Sequence, residues 1–102
     1  MIMSALNYKV IYRNGDRIPF HIANFSRTAE GSFVFEYVDN PKYSFPGFDP
    51  SKRKYENDTL WDQIAFRIPN NIRNQFPSTP SEDLIEKTEG KLVTDHFEFQ
   101  LA

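Results

Sequence analysis

Cysteine is absent from this 102-residue chain. Disulfides and thiolate zinc sites are thereby excluded, and the composition is compatible with a reducing compartment. Glycine is scarce, and its four copies are isolated, so no glycine-rich phosphate loop can be built. No apolar run approaches the roughly 18 residues that a membrane-spanning helix needs. The opening MIMSALNYKV has no basic stretch followed by an apolar one, so no secretory leader is expected. A surplus of one charge sign is also missing: 12 Lys and Arg stand against 14 Asp and Glu. That argues against a dedicated nucleic-acid binder, whose phosphate contacts need a basic surplus on at least one face. A cytoplasmic protein of one domain is the simplest expectation.

What the chain does have is aromatic side chains. Ten Phe, five Tyr and one Trp make up 16% of the residues, against a hydrophobic content of only 39%. Large rings can build a core from few positions, and this length can support one without staples. The first half reads as strands. Tyr8–Arg13 is rich in β-formers and is followed by Asn14-Gly15, a hairpin signal. From Arg17 to about Phe25, Ile18, Phe20 and Ile22 alternate with Arg17, Pro19 and His21, with Pro19 suited to an edge or bulge. After a polar turn at 26–31, the segment 32–38 puts Phe33, Phe35 and Tyr37 on one face.

Residues 39–56 are punctuated by Pro41, Pro46-Gly47 and Pro50, yet Tyr43, Phe45, Phe48 and Tyr55 recur through them. A loop this long is usually functional or flexible. Its rings either close the domain's own core or present a surface to a partner. Asn57 or Asp58 is the expected cap of a helix running to Ile68, where Pro69 stops it. Leu60, Trp61, Ile64, Ala65 and Ile68 share its apolar stripe, and Phe66 falls roughly opposite. Residues 70–76 suit a further turn. Thr79-Pro80-Ser81-Glu82 starts a second helix with a capping box, ending near Thr88 or Glu89 with Gly90 as its left-handed cap. A last strand spans 92–101, with Asp95 an anomaly on its apolar face, suited to a turn cap or a bulge. The expected fold is α+β: an antiparallel sheet of four or more strands that could close into a barrel, with two short helices before the last strand.

Catalytic signatures are missing. No lysine, aspartate and asparagine stand in kinase spacing. His21 and His96 fall on separate strands, with Glu98 the one nearby candidate ligand, so neither a metal nor a cofactor is expected. Asp58, Asp62, Glu82 and Asp83 are explained by helix-start electrostatics. A small enzyme would need carboxylates or His96 with Glu98 converging in a pocket. The basic run Ser51-Lys52-Arg53-Lys54 beside Tyr55 leaves a nucleic-acid-binding module as an alternative.

Several stretches together resemble a known family. They are Gly31-Ser32-Phe33-Val34-Phe35-Glu36-Tyr37, Tyr55 before Asn57-Asp58, Leu60-Trp61, Arg67-Ile68-Pro69, Asp83-Leu84-Ile85, and Thr88-Glu89-Gly90-Lys91-Leu92-Val93-Thr94-Asp95. The pattern, over roughly 8–99, resembles the N-terminal subdomain 1 of HipA-type serine/threonine kinase toxins. It is also similar to the separate HipS-type small subunit of tripartite HipBST toxin–antitoxin systems. The resemblance implies a non-enzymatic regulatory or antitoxin subunit that binds a truncated HipT-like kinase, alongside a HipB-like DNA-binding protein. The kinase residues of that family have no counterparts here. A subdomain that docks on a kinase should expose apolar rings. The partner-binding expectation therefore falls on Trp61, Phe66 and Arg67, with Tyr55, Phe48 and Phe45 of the aromatic loop.

Overall fold

The computed structural model describes residues 5–15, 18–88 and 96–102. Among the described residues, five strands form one antiparallel sheet: β1 (Leu6–Tyr12), β2 (Phe20–Arg27), β3 (Phe33–Tyr37), β4 (Lys54–Asn57) and β5 (Phe97–Leu101). Their order is β4-β3-β2-β1-β5, so the sheet is open, with β4 and β5 at its two edges. Three short helices, α1 (Asp62–Ala65), α2 (Asn70–Gln75) and α3 (Ser81–Thr88), lie in the chain between β4 and β5. The expected α+β class is what forms.

Register explains the core. Tyr8, Phe25, Phe35 and Tyr55 lie in one row across four strands, and Phe99, Val10, Ala23 and Tyr37 in the next. Side chains alternate along each strand, so these rows share a face. Ile64, Ile68, Leu84 and Ile85 from the helical part complete the cluster. Full burial of each such side chain is worth about 1.5–3 kcal/mol. On β2 the alternation slips: a register shift between Val10 and Ile11 leaves both Ile22 and Ala23 buried. A bulge adds one unpaired residue and resets the faces on either side of it. It turns Arg27, not Ser26, inward.

Several local expectations need correcting. Asn14-Gly15 does not make a two-residue hairpin, because β1 and β2 first pair at Tyr12 and Phe20. Ile18 is 80% exposed, since β2 begins after Pro19 and no ladder holds Ile18 against the core. Lys54–Asn57 is a strand, although its sequence KYEN has a single ring and no apolar alternation. The helix expected from Asn57 or Asp58 starts at Asp62, with Trp61 as its extended N-cap residue. Asn57 instead ends β4 and donates from Nδ2 to the Thr59 carbonyl, 3.0 Å away. The turn expected over 70–76 is the helix α2. Gly90, Asp95 and Arg17 lie outside the described residues.

Helix α3 is tied to the sheet by a buried polar set. Tyr8 Oη donates to the Glu82 carbonyl at 3.0 Å. The inward Arg27 guanidinium lies 3.2 Å from Asp83 and 3.6 Å from Glu82. Burial raises the Glu82 carboxyl above the ordinary glutamate value, and Arg27 opposes the shift.

Candidate protein-interaction surface

The site expected from the sequence begins with the aromatic loop. Tyr37, inward on β3, places its hydroxyl beneath that loop. Phe45 N–H donates to Tyr37 Oη at 2.8 Å, and Tyr37 Oη donates to the Phe48 carbonyl at 2.5 Å. Burial pushes the phenol's pKa up, and the Phe45 hydrogen bond opposes this, so the group stays protonated and able to donate. Gly47, at φ +86°, lets the chain reverse between the two rings. A Cβ there would come within 2.8 Å of Gln63 on α1, so loop and helix are in close contact. Lower in the loop, Ser51 N–H donates to Asp49 Oδ1 and holds that carboxyl below its usual range.

Five of the six expected partner residues converge. Phe48 stacks on Phe35 at 4.1 Å, meets the Tyr55 ring at 5.0 Å and meets Trp61 edge-on at 5.0 Å. Phe45 lies 5.9 Å from Phe48 and carries the Arg67 guanidinium 4.5 Å above its ring. This convergence is internal. Phe45, Phe48 and Arg67 are each at most 2% exposed. They are corrected from partner contacts to core, because no partner could reach them without opening the loop. Tyr55 and Trp61 are half-buried, with one side of each ring on Phe48.

Phe66 is different. It caps the C-terminal end of α1, with its N–H donating to the Asp62 carbonyl, and its side chain is 60% exposed. It makes no ring contact among the described residues. The turn that carries it is nonetheless anchored. Ile64, Arg67 and Ile68 are buried on either side, and Arg73 on α2 donates from Nη2 to the Ala65 carbonyl. A large apolar ring on an immobilised backbone is the geometry of an interface anchor, because little conformational entropy remains to be lost on binding.

The other candidate sites are less open to a ligand. In the basic run, Arg53 pairs with Asp39 at 2.6 Å and with Glu36 at 3.6 Å, and Lys54 pairs with Glu56 at 3.1 Å. Lys52 Nζ lies 4.9 Å from the centre of the Tyr55 ring. Neutralised cations have fewer counterions to release on meeting a phosphate backbone. Glu98 is engaged by Arg13 at 2.5 Å and by Gln100 at 3.3 Å, while His96 lies against Tyr12. His21 shares a hydrogen bond with Asn24. Among the described residues, no three His, Asp or Glu side chains are grouped to hold a metal ion. No helix among them is long and apolar enough to cross a membrane.

Two roles were not foreseen from sequence, although Arg67 itself was singled out there as a partner contact. The Tyr37 hydroxyl locks the loop, and Arg67 closes the core over Phe45. For Tyr37 a signal was present: a hydroxyl on the apolar face of a strand must find a buried partner, and a loop's carbonyls are the available ones. For Arg67 there was none short of the fold. No family model, curated protein or solved structure matches the chain.

Proposed function

We propose that this chain is a non-catalytic regulatory subunit that binds and restrains a HipT-like serine/threonine kinase. In this reading it acts in the cytoplasm, as part of a complex with a HipB-like DNA-binding protein. The observation that carries the reading is the exposed Phe66 ring on its anchored turn. It is the kind of feature a docking subunit requires, and the sequence resemblance supplies the class of partner. Trp61 and Tyr55, which precede the anchor in the chain, have half-exposed rings and in this reading supply further contact. Deleting a central aromatic anchor typically costs about 2–4 kcal/mol of binding.

The test is co-expression of the tagged chain with the proteins encoded beside it. A truncated kinase should co-purify with it, and the kinase's phosphorylation of its substrate should fall when this chain is added. Recovery of the chain without any kinase, or a kinase whose activity is unchanged by saturating amounts of it, would contradict the proposal.

A further inference from the structure

Arg73 is bonded differently from the other arginines that form ion pairs. Arg13, Arg27 and Arg53 each meet a carboxylate, at 2.5, 3.2 and 2.6 Å. Arg73 belongs to none of the ion pairs among the described residues. Its Nη2 donates to the carbonyl of Ala65, the residue before the exposed Phe66. Its Nε is buried without a hydrogen-bond partner, whereas its Nη1 is neither bonded nor buried. One half of the guanidinium is thus fixed on the backbone that carries Phe66, and the other half is open. The exposed side chains of α2 around it are neutral amides: Asn70, Asn71, Asn74 and Gln75. A nucleic-acid backbone would call for several cations together. Here one open cation stands beside one exposed ring.

We propose that the kinase presents an aspartate or glutamate carboxylate at the rim of the apolar pocket that receives Phe66, and that this carboxylate pairs with Arg73. The inference rests on the kinase-binding reading above and names the chemistry of the surface that meets it. Because Nε is covered and Nη2 is occupied, the carboxylate meets Nη1, which carries two N–H donors. The Ala65 bond orients the guanidinium in advance, so little rotamer entropy is left to lose on pairing. The docked Phe66 ring excludes water beside the pair, which strengthens a charge-assisted hydrogen bond. A surface that offered a cation at that point would be repelled, so Arg73 also selects among apolar pockets.

The test uses the co-purified kinase, titrated with wild type, Arg73→Gln and Phe66→Ala at about 0.1 M and about 1 M salt. Glutamine keeps an N–H donor for the Ala65 carbonyl while removing the charge, and circular dichroism checks the fold. Arg73→Gln should weaken binding at least about tenfold at the lower salt, and the gap should narrow at the higher. Zero-length carbodiimide coupling of the Arg73→Lys complex gives a second readout. The amine that Arg73→Lys introduces should form an amide with an aspartate or glutamate of the kinase, located by mass spectrometry. Weaker binding of Phe66→Ala together with unchanged binding of Arg73→Gln overturns this proposal alone. So does coupling of that amine only to carboxylates of its own chain. Dependence on Arg73 that vanishes when the kinase is treated with phosphatase would assign the anion to a phosphoryl group and overturn the carboxylate. A chain that binds no kinase overturns both readings.

Discussion

Phe45 and Phe66 are the same residue type on the two halves of one candidate site, and they end in opposite places. Phe45 is 1% exposed and Phe66 is 60% exposed. Arg67 joins them: it is the chain neighbour of Phe66, yet its guanidinium lies over the Phe45 ring. Adjacent residues on a helical turn point about 100° apart, so a turn that buries Arg67 must present Phe66 elsewhere. Hydrophobicity therefore cannot distinguish a ring that closes a core from one that awaits a partner. The distinction comes from what lies beneath each ring. Under the loop there is the Tyr37 hydroxyl, which satisfies two backbone groups. Phe66 has no such hydroxyl or ring against it among the described residues and is left 60% exposed.

Substitutions should separate the two regions. Phe45→Ala removes a ring that touches Phe35, Phe48, Phe97 and Phe99. It should cost about 3–5 kcal/mol of unfolding free energy in denaturant titration. Retention of near-full stability would mean that the loop is not part of the core. Tyr37→Phe keeps the ring but strands the Phe45 N–H and the Phe48 carbonyl, and should cost about 1–3 kcal/mol by the same measurement. If the loop were a detachable surface element, the loss would be close to zero.

A smaller effect should appear with pH, at the other end of the core. Glu82 has a folded pKa raised mainly by burial. Its contribution to stability is therefore fully present below the unfolded glutamate value, about 4.3. It is lost as pH rises through the raised folded value. Glu82→Gln should flatten the pH dependence of stability across that window. An unchanged profile would show that the carboxyl is solvated in the folded protein.

Much of the fold was legible in the sequence. Phe33, Phe35 and Tyr37 alternate as a half-buried strand must, and they form β3. Thr79-Pro80 precedes α3 closely. The strand β4 was hidden because Lys54, Glu56 and Asn57 carry no apolar signal; its pairing with β3 and the seat of Tyr55 on Phe48 are tertiary facts. Helix α1 was read too long because Leu60 and Trp61 fit a helical stripe equally well as a short extended entry. At the site, a loop ring's side of the surface depends on the Tyr37 hydroxyl on β3, the second strand from the sheet edge, and on Arg67, just beyond α1. Neither is encoded in local spacing.

The central claim is that Phe66, not the buried loop rings, contacts the kinase. Calorimetric titration of that kinase with wild type, Phe66→Ala and Trp61→Ala, each with its unfolding curve, tests it directly. The account predicts that Phe66→Ala changes stability by less than about 0.5 kcal/mol and weakens binding by about 2–4 kcal/mol. Normal folding of both variants with unchanged affinity would contradict it.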